Sequence, residues 1–116
     1  MSKTKPRPIV WVGDSLKQVR SFPTEVKKDI GDGLFDVQMR SKPPDAKLLR
    51  GLGSGVFEIV TRHYSNTYRT VYAVQIGNRV YVLHAFQKKS KKGIKTPKKD
   101  FDLIKRRYQQ ALEMEK

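Results

Sequence analysis

Two arginines occupy strand positions in this chain where a purely structural sheet places valine or threonine. They are Arg62 and Arg69, inside a stretch from Gly55 to Asp100 where three runs alternate apolar with polar or basic residues. A cation carried on a strand is held more rigidly than one on a loop, so the chemistry implied is the gripping of phosphate. Strand alternation puts Val56, Glu58, Val60 and Arg62 on one face, and Arg69, Val71, Ala73 and Gln75 on one face of the next strand. Glu58, Arg62 and Arg69 then meet across the hairpin as a charged patch. The bland alternative is a surface cross-strand ion pair between Glu58 and an arginine, weakly stabilising and without chemistry. The third run tips the balance, because it leads into Lys88 to Lys99, seven lysines in twelve residues with no acid. A lysine run alone is usually a solvated loop; beside arginine-bearing strands it more often binds phosphate.

Two histidines complete the titratable set near neutral pH. For His84, the one strand histidine, a partly buried ring bonded to a neighbour is favoured over a general acid. His63, placed in a hairpin loop, is expected to be exposed. Tyr64, Tyr68, Tyr72 and Tyr81 interleave with the basic residues and have the shape to stack on bases, though packing explains most such tyrosines. Trp11 is expected to pack on the sheet.

The bulk numbers agree with a polyanionic partner. The chain has 116 residues, 25 Lys+Arg against 11 Asp+Glu and a net charge of +14. Nucleic acid leads as the partner, ahead of an anionic membrane surface. No apolar run approaches the roughly 20 residues that span a bilayer, and MSKTKPRP carries no apolar stretch of a signal peptide. Cysteine is absent, which excludes disulfides and thiolate metal sites and suits a reducing cytoplasm. With two histidines and no acidic metal-binding pair, neither a metal nor another cofactor is expected. No GxSxG, P-loop or cysteine nucleophile is present.

The elements that must position these residues follow from periodicity. The length fits one domain, residues 1–116, with residues 1–8 as a flexible basic leader. Ile9 to Val12 is a short strand ended by Gly13. Asp14 or Ser15 caps a helix to about Phe22, and Pro23 suits the first turn of a second helix. Val26, Ile30, Leu34 and Val37 make one helical face. Gly31 and Gly33 cost that helix about 1 kcal/mol each, so it relies on packing, or the glycines admit a close neighbour. Pro43-Pro44 breaks it, and Ala46 to Arg50 reads as a single turn. Val56 to Arg62, Arg69 to Ile76 and Arg79 to Gln87 are the main strands. His63 to Thr67 is a polar loop, and Gly77-Asn78 is a two-residue turn. In the last strand Val80, Val82 and Phe86 point one way, and Tyr81, Leu83 and Ala85 the other. Thr96 caps a terminal helix with Pro97 at its first position and a stripe of Phe101, Ile104, Tyr108 and Leu112. The expected fold class is α+β: a small antiparallel sheet with two N-terminal helices packed on it and a C-terminal helix, all on one face.

Three blocks resemble a known family. Lys47 to Ile59, KLLRGLGSGVFEI, resembles the lysine, leucine, glycine and strand signature of the RelE/HigB toxin superfamily. Tyr68 to Val74, YRTVYAV, is similar to its second strand, where an arginine precedes an apolar run. Tyr81 to Lys92, followed by Thr96-Pro97, is similar to the phage-derived Gp49-like HigB subgroup. The match spans residues 8 to 113, essentially the whole domain, and implies a RelE/ParE-like fold.

The resemblance further implies the toxin half of a type II toxin–antitoxin pair, a metal-independent endoribonuclease that cuts mRNA in the ribosomal A site. The message's own 2′-OH attacks the adjacent phosphate, and fixed cations stabilise the charge that develops. On this resemblance Arg69 contacts the scissile phosphate, and Glu58 and Arg62 are charged active-site groups. Lys88 and Lys91 follow the last strand, and His84 is the candidate acid. Arg50, Lys47, Lys89, Lys92 and Lys95 are implied to hold RNA backbone. The chain departs from the family in lacking a tyrosine or histidine just past the final strand, which leaves the acid and base open. Implied partners are a helix-turn-helix antitoxin encoded adjacently and the ribosome with its mRNA and rRNA, with no membrane and in the cytoplasm. Two alternatives stay open: a ParE-like gyrase inhibitor that cuts nothing, and a non-catalytic nucleic-acid-binding module of phage origin.

Overall fold

A computed structural model describes residues 5–88 and 96–116. Its elements are β1 (Ile9–Trp11), α1 (Ser15–Arg20), α2 (Thr24–Gln38), β2 (Ala46–Leu48), β3 (Val56–His63), β4 (Asn66–Ile76), β5 (Arg79–Lys88) and α3 (Lys98–Met114). The expected α+β class is what is found. The strands form one sheet in the order β1-β5-β4-β3-β2. β3, β4 and β5 are the antiparallel meander read from the alternation, β2 adds antiparallel to β3, and β1 runs parallel to β5, so the sheet is mixed.

Several boundaries differ from the expectation. Ala46 to Leu48 is a strand, not a helical turn, because Ala46, Lys47 and Leu48 pair with Ile59, Glu58 and Phe57. The polar loop shrinks to Tyr64 and Ser65, since His63 and Asn66 already pair. Gly77-Asn78 is the two-residue turn expected, with Gly77 at φ 58°. The helix starts also shift. Pro97, not Thr96, occupies the N-cap of α3, and Pro23 that of α2.

Helices cover both faces of the sheet, α1 and α2 one and α3 the other, not the single face expected, because β4 and β5 carry apolar side chains on both sides. Val19, Val26, Ile30, Leu34 and Val37 of α1 and α2 pack with Ile59, Tyr68, Tyr72, Val80 and Val82. Trp11 packs against that cluster as expected. On the other face Ile104 and Ala111 of α3 pack with Val56, Val71, Ala73, Tyr81 and Leu83. β4 and β5 carry apolar side chains on both faces, as a central strand sandwiched between layers does. In α2 the two glycines behave differently. A Cβ on Gly33 meets Ile59 Cδ1 at 3.1 Å, whereas one on Gly31 meets nothing within 4 Å. Gly33 is therefore the position that lets α2 approach β3 closely.

A bulge in β5 decides which face its second half presents. Val71 pairs with His84 while Tyr72 pairs with Val82, leaving Leu83 as an extra residue. Alternation is reset there. Ala85, not Phe86, joins Val80 and Val82 on the α1–α2 side, and Phe86 joins Tyr81 and Leu83 on the α3 side. Without the extra residue His84 would share the face of Val80 and Val82; with it, His84 stands on the α3 face. Arg107 on α3 stabilises the irregularity. Its Nη1 donates to the Leu83 carbonyl at 2.9 Å, and its Nη2 to Asp14 Oδ1 at 2.7 Å. One guanidinium thus ties α3 to the bulge and to the β1–α1 turn.

Candidate active site: a charged face beneath the terminal helix

Ladder register aligns the charged residues in three rungs on the α3 face. Lys47, Glu58, Val71 and His84 form one across four strands. Val60, Arg69 and Phe86 form the next, and Arg62, Thr67 and Lys88 the third. Adjacent rungs lie two residues apart, roughly 7 Å along the strands. The centre is Glu58 with Arg69, a diagonal pair whose Nη1–Oε1 separation is 2.8 Å. Each residue is 4% exposed. This pair is therefore not the weak surface bridge that its spacing also permitted. It is a buried pair, where removing one partner is costly. Arg69 Nε is buried with no hydrogen-bond partner among the described residues.

Lys88 belongs to the same electrostatic group. Burial holds its ammonium below the ordinary lysine value, Arg69 lowers it further, Glu58 opposes, and Lys47 adds a smaller lowering. Arg69, Lys47 and Lys88 thus act on one another around the single carboxylate of Glu58, which leaves the group net positive. A groove of about 760 Å³ opens beside the rungs, lined by Lys47, Leu48, Leu49, Arg50, Glu58, Thr96, Lys98 and Phe101. Its walls mix cations with the apolar surface of Leu48 and Phe101, which suits an anion carrying flat apolar groups. Gly51 at φ 101° turns the chain under Phe101, where an added Cβ would approach the ring at 3.1 Å.

His84 bonds through Nε2 to Asp100 Oδ1 at 2.8 Å and stacks on Phe86, with ring centroids 5.1 Å apart. At 7% exposure it is the partly buried, hydrogen-bonded histidine favoured from sequence. Its Nδ1 is buried with no hydrogen-bond partner among the described residues. Asp100 is an acid in the first turn of α3. Its link to His84 requires α3 to lie on the sheet, which no local pattern reveals.

The structure gathers Lys47, Arg50, Glu58, Arg69, His84 and Lys88 around one end of the sheet. Of these Lys47, Arg50 and Glu58 line the groove and Arg69, His84 and Lys88 do not; Arg62 shares the rung of Lys88 beyond Arg69 but is exposed. Lys89, Lys91, Lys92 and Lys95 lie outside the described residues. His63 departs from its expected exposure. It ends β3 with a side chain 18% exposed, 3.6 Å from Glu25 Oε1. Among the described residues no cluster of histidine and acid is arranged to hold a metal. No helix among them is long and apolar enough to cross a membrane.

Comparison with known proteins bears on the fold and the family. The fold is similar to a chain of the toxin–antitoxin complex RelBE2 from Mycobacterium tuberculosis, with a TM-score of 0.51 and 18% identity over 76% of this chain and 98% of that one. At that identity the likeness concerns the fold, which is RelE-like. No curated protein matches the chain. The model of the family described as "Phage derived protein Gp49-like" matches residues 17–109, which takes in every described element except β1, the start of α1 and the end of α3. The chain belongs to the phage-derived Gp49-like family.

Proposed function

We propose that this protein is the toxin of a type II toxin–antitoxin pair and a metal-independent endoribonuclease that cuts mRNA in the ribosomal A site. The observation that carries the proposal is the grouping of Glu58, Arg69, Lys47 and Lys88 on one face of the sheet of a +14 chain, with Glu58 and Lys47 lining a groove. The RelE-like fold of a toxin–antitoxin complex and the Gp49-like family support the same reading.

Transesterification at phosphate needs a base for the 2′-OH and cations for the charge that develops on the phosphoryl oxygens. Glu58 is the base: it alone among the described groove residues carries a carboxylate. Arg69 fixes that carboxylate and supplies a positive charge from behind it. Lys88 and Lys47 flank the phosphate, with Lys91 of the lysine loop as a further cation, and a lysine delivers the proton to the leaving 5′-oxygen. Arg50, Lys89, Lys92 and Lys95 hold the RNA backbone. His84 and Asp100 anchor the start of α3 against the rung that carries Glu58. A cytoplasmic setting and an adjacently encoded helix-turn-helix antitoxin that covers the basic groove complete the proposal.

The test is primer extension on a defined mRNA translated in a purified system. Glu58→Gln keeps the shape and an acceptor for Arg69 while removing the base, and is expected to lower cleavage about 10²–10⁴-fold. Cuts that require ribosomes and fade in the variant support the reading. Absence of cuts by the wild-type protein rejects it, and gyrase inhibition in a supercoiling assay would then identify the ParE-like alternative.

A further inference from the structure

Four tyrosines interleave with the basic residues, and the structure separates them sharply. Tyr68, Tyr72 and Tyr81 are 5%, 2% and 1% exposed, whereas Tyr64 is 92% exposed. Tyr64 is the first residue of the β3–β4 turn and holds φ at 56°, a left-handed conformation that an aromatic residue adopts only at a cost. Glycine or asparagine fills such a position with less strain. Its ring meets His63 in a T-shaped contact with centroids 4.6 Å apart, which steadies the ring while leaving it in solvent. Packing does not account for a tyrosine here, and turn chemistry argues against one.

Its place in the sheet suggests what does. The α3 face continues from the Glu58 rung through Arg69 to Arg62, Thr67 and Lys88, and the next position along β3 is the turn. Arg62 is exposed and forms no ion pair among the described residues, although it borders a pocket that Glu25, Asp29 and Asp45 also line. From Glu58 to Tyr64 the strand covers roughly 20 Å, a span of a few nucleotides. We propose that Tyr64 is a base-stacking contact for a single-stranded RNA that runs from the groove along β3, with Arg62 holding a phosphate of the same strand. Every base offers a π-face, so the contact adds affinity without sequence preference. A steadied aromatic ring loses little freedom on binding, which makes it a better platform than a mobile side chain. The inference rests on the RNA-binding reading of the groove.

The experiment measures binding of the full chain to fluorescently labelled single-stranded RNA by anisotropy. Tyr64→Ala is expected to weaken binding roughly 5- to 150-fold, the range for loss of one stacked base. Tyr64→Phe keeps the ring and the affinity. Tyr64→Asn relieves the left-handed strain, so it unfolds at or above the wild-type temperature yet binds like the alanine variant. An RNA with a single abasic site at the stacked position removes the difference between wild type and Tyr64→Ala. Wild-type affinity in Tyr64→Ala overturns the inference while leaving the groove reading intact. Absence of RNA binding by the wild-type protein overturns both. Normal RNA binding by Tyr64→Ala combined with lost affinity for a protein would instead assign the residue to a protein interface.

Discussion

Removing the Arg69 side chain while leaving Glu58 in place isolates what the buried pair contributes. Arg69→Met fills similar volume but strands a carboxylate that is 4% exposed and had a guanidinium nitrogen 2.8 Å away. Breaking a buried pair from one side costs about 3–5 kcal/mol, a large share of the roughly 5–15 kcal/mol that holds a domain folded. For a chain of this size each kcal/mol shifts the melting temperature by about 4 °C, so a fall of roughly 12–20 °C is expected. Glu58→Leu combined with Arg69→Met removes both charges and leaves apolar groups of similar volume. Such replacements are often neutral or stabilising by about 1–4 kcal/mol, so the double variant should melt near or above wild type. Circular dichroism melts of wild type, Arg69→Met, Glu58→Leu and the double variant complete a cycle that reads the coupling directly. Primer extension on the same proteins separates stability from chemistry: the double variant is expected to be well folded and inactive. Two outcomes refute the reasoning. A single-variant loss below about 1 kcal/mol would mean that the pair behaves like a surface bridge. Cleavage by the folded double variant would mean that it is only structural.

Three further predictions follow from other contacts. Log affinity for single-stranded RNA should fall linearly with log salt, and Lys47→Ala or Lys88→Ala should each reduce the slope by about 0.7 if it contacts one phosphate; an unchanged slope removes that lysine from the interface. Hydrogen bonds from Tyr81 and then Arg79 hold the Glu115 carboxyl below its ordinary value of 4.5. A depressed acid stabilises the fold above its unfolded value and loses that contribution as pH falls through its folded value. The wild type should therefore lose stability below about pH 4.5 more steeply than Glu115→Gln in thermal melts; parallel pH profiles would rule the contact out as a contributor. Arg107→Ala takes the side-chain donor from the bulge carbonyl of Leu83, leaves Asp14 with Gln18 as its side-chain donor, and should cost about 1–3 kcal/mol, with faster amide exchange in β5 around His84; unchanged exchange would show that the bulge holds without it.

How much of this was legible in the chain differs by element. The period-2 runs located β3, β4 and β5 to within three residues at their ends, because each alternates against a covered face. The spacing of Val26, Ile30, Leu34 and Val37 located α2 in the same way. Glu58 and Arg69 were assigned to one face from alternation alone, since neither strand is irregular between its pairing residues there. β2 was missed because three residues carry no periodicity, and it exists only through its pairing with β3. Composition and local pattern thus determined the α+β class, the main strands, the cationic character and the charged patch, all of which depend on near neighbours or on sums over the chain.

Tertiary structure decided the rest. Burial of the Glu58–Arg69 pair follows from layers packed over the sheet, and the same strand spacing permits an exposed pair. The face of His84 depends on one extra residue at Leu83, whose carbonyl is satisfied by Arg107 from a helix 24 residues away. Asp100 reaches His84 for the same reason, through the docking of α3. Among four tyrosines of one type, only packing distinguishes the three that fill the sheet from Tyr64 at the turn. Local sequence sets which groups can meet; a register shift, a docked helix and a covered face set which of them do.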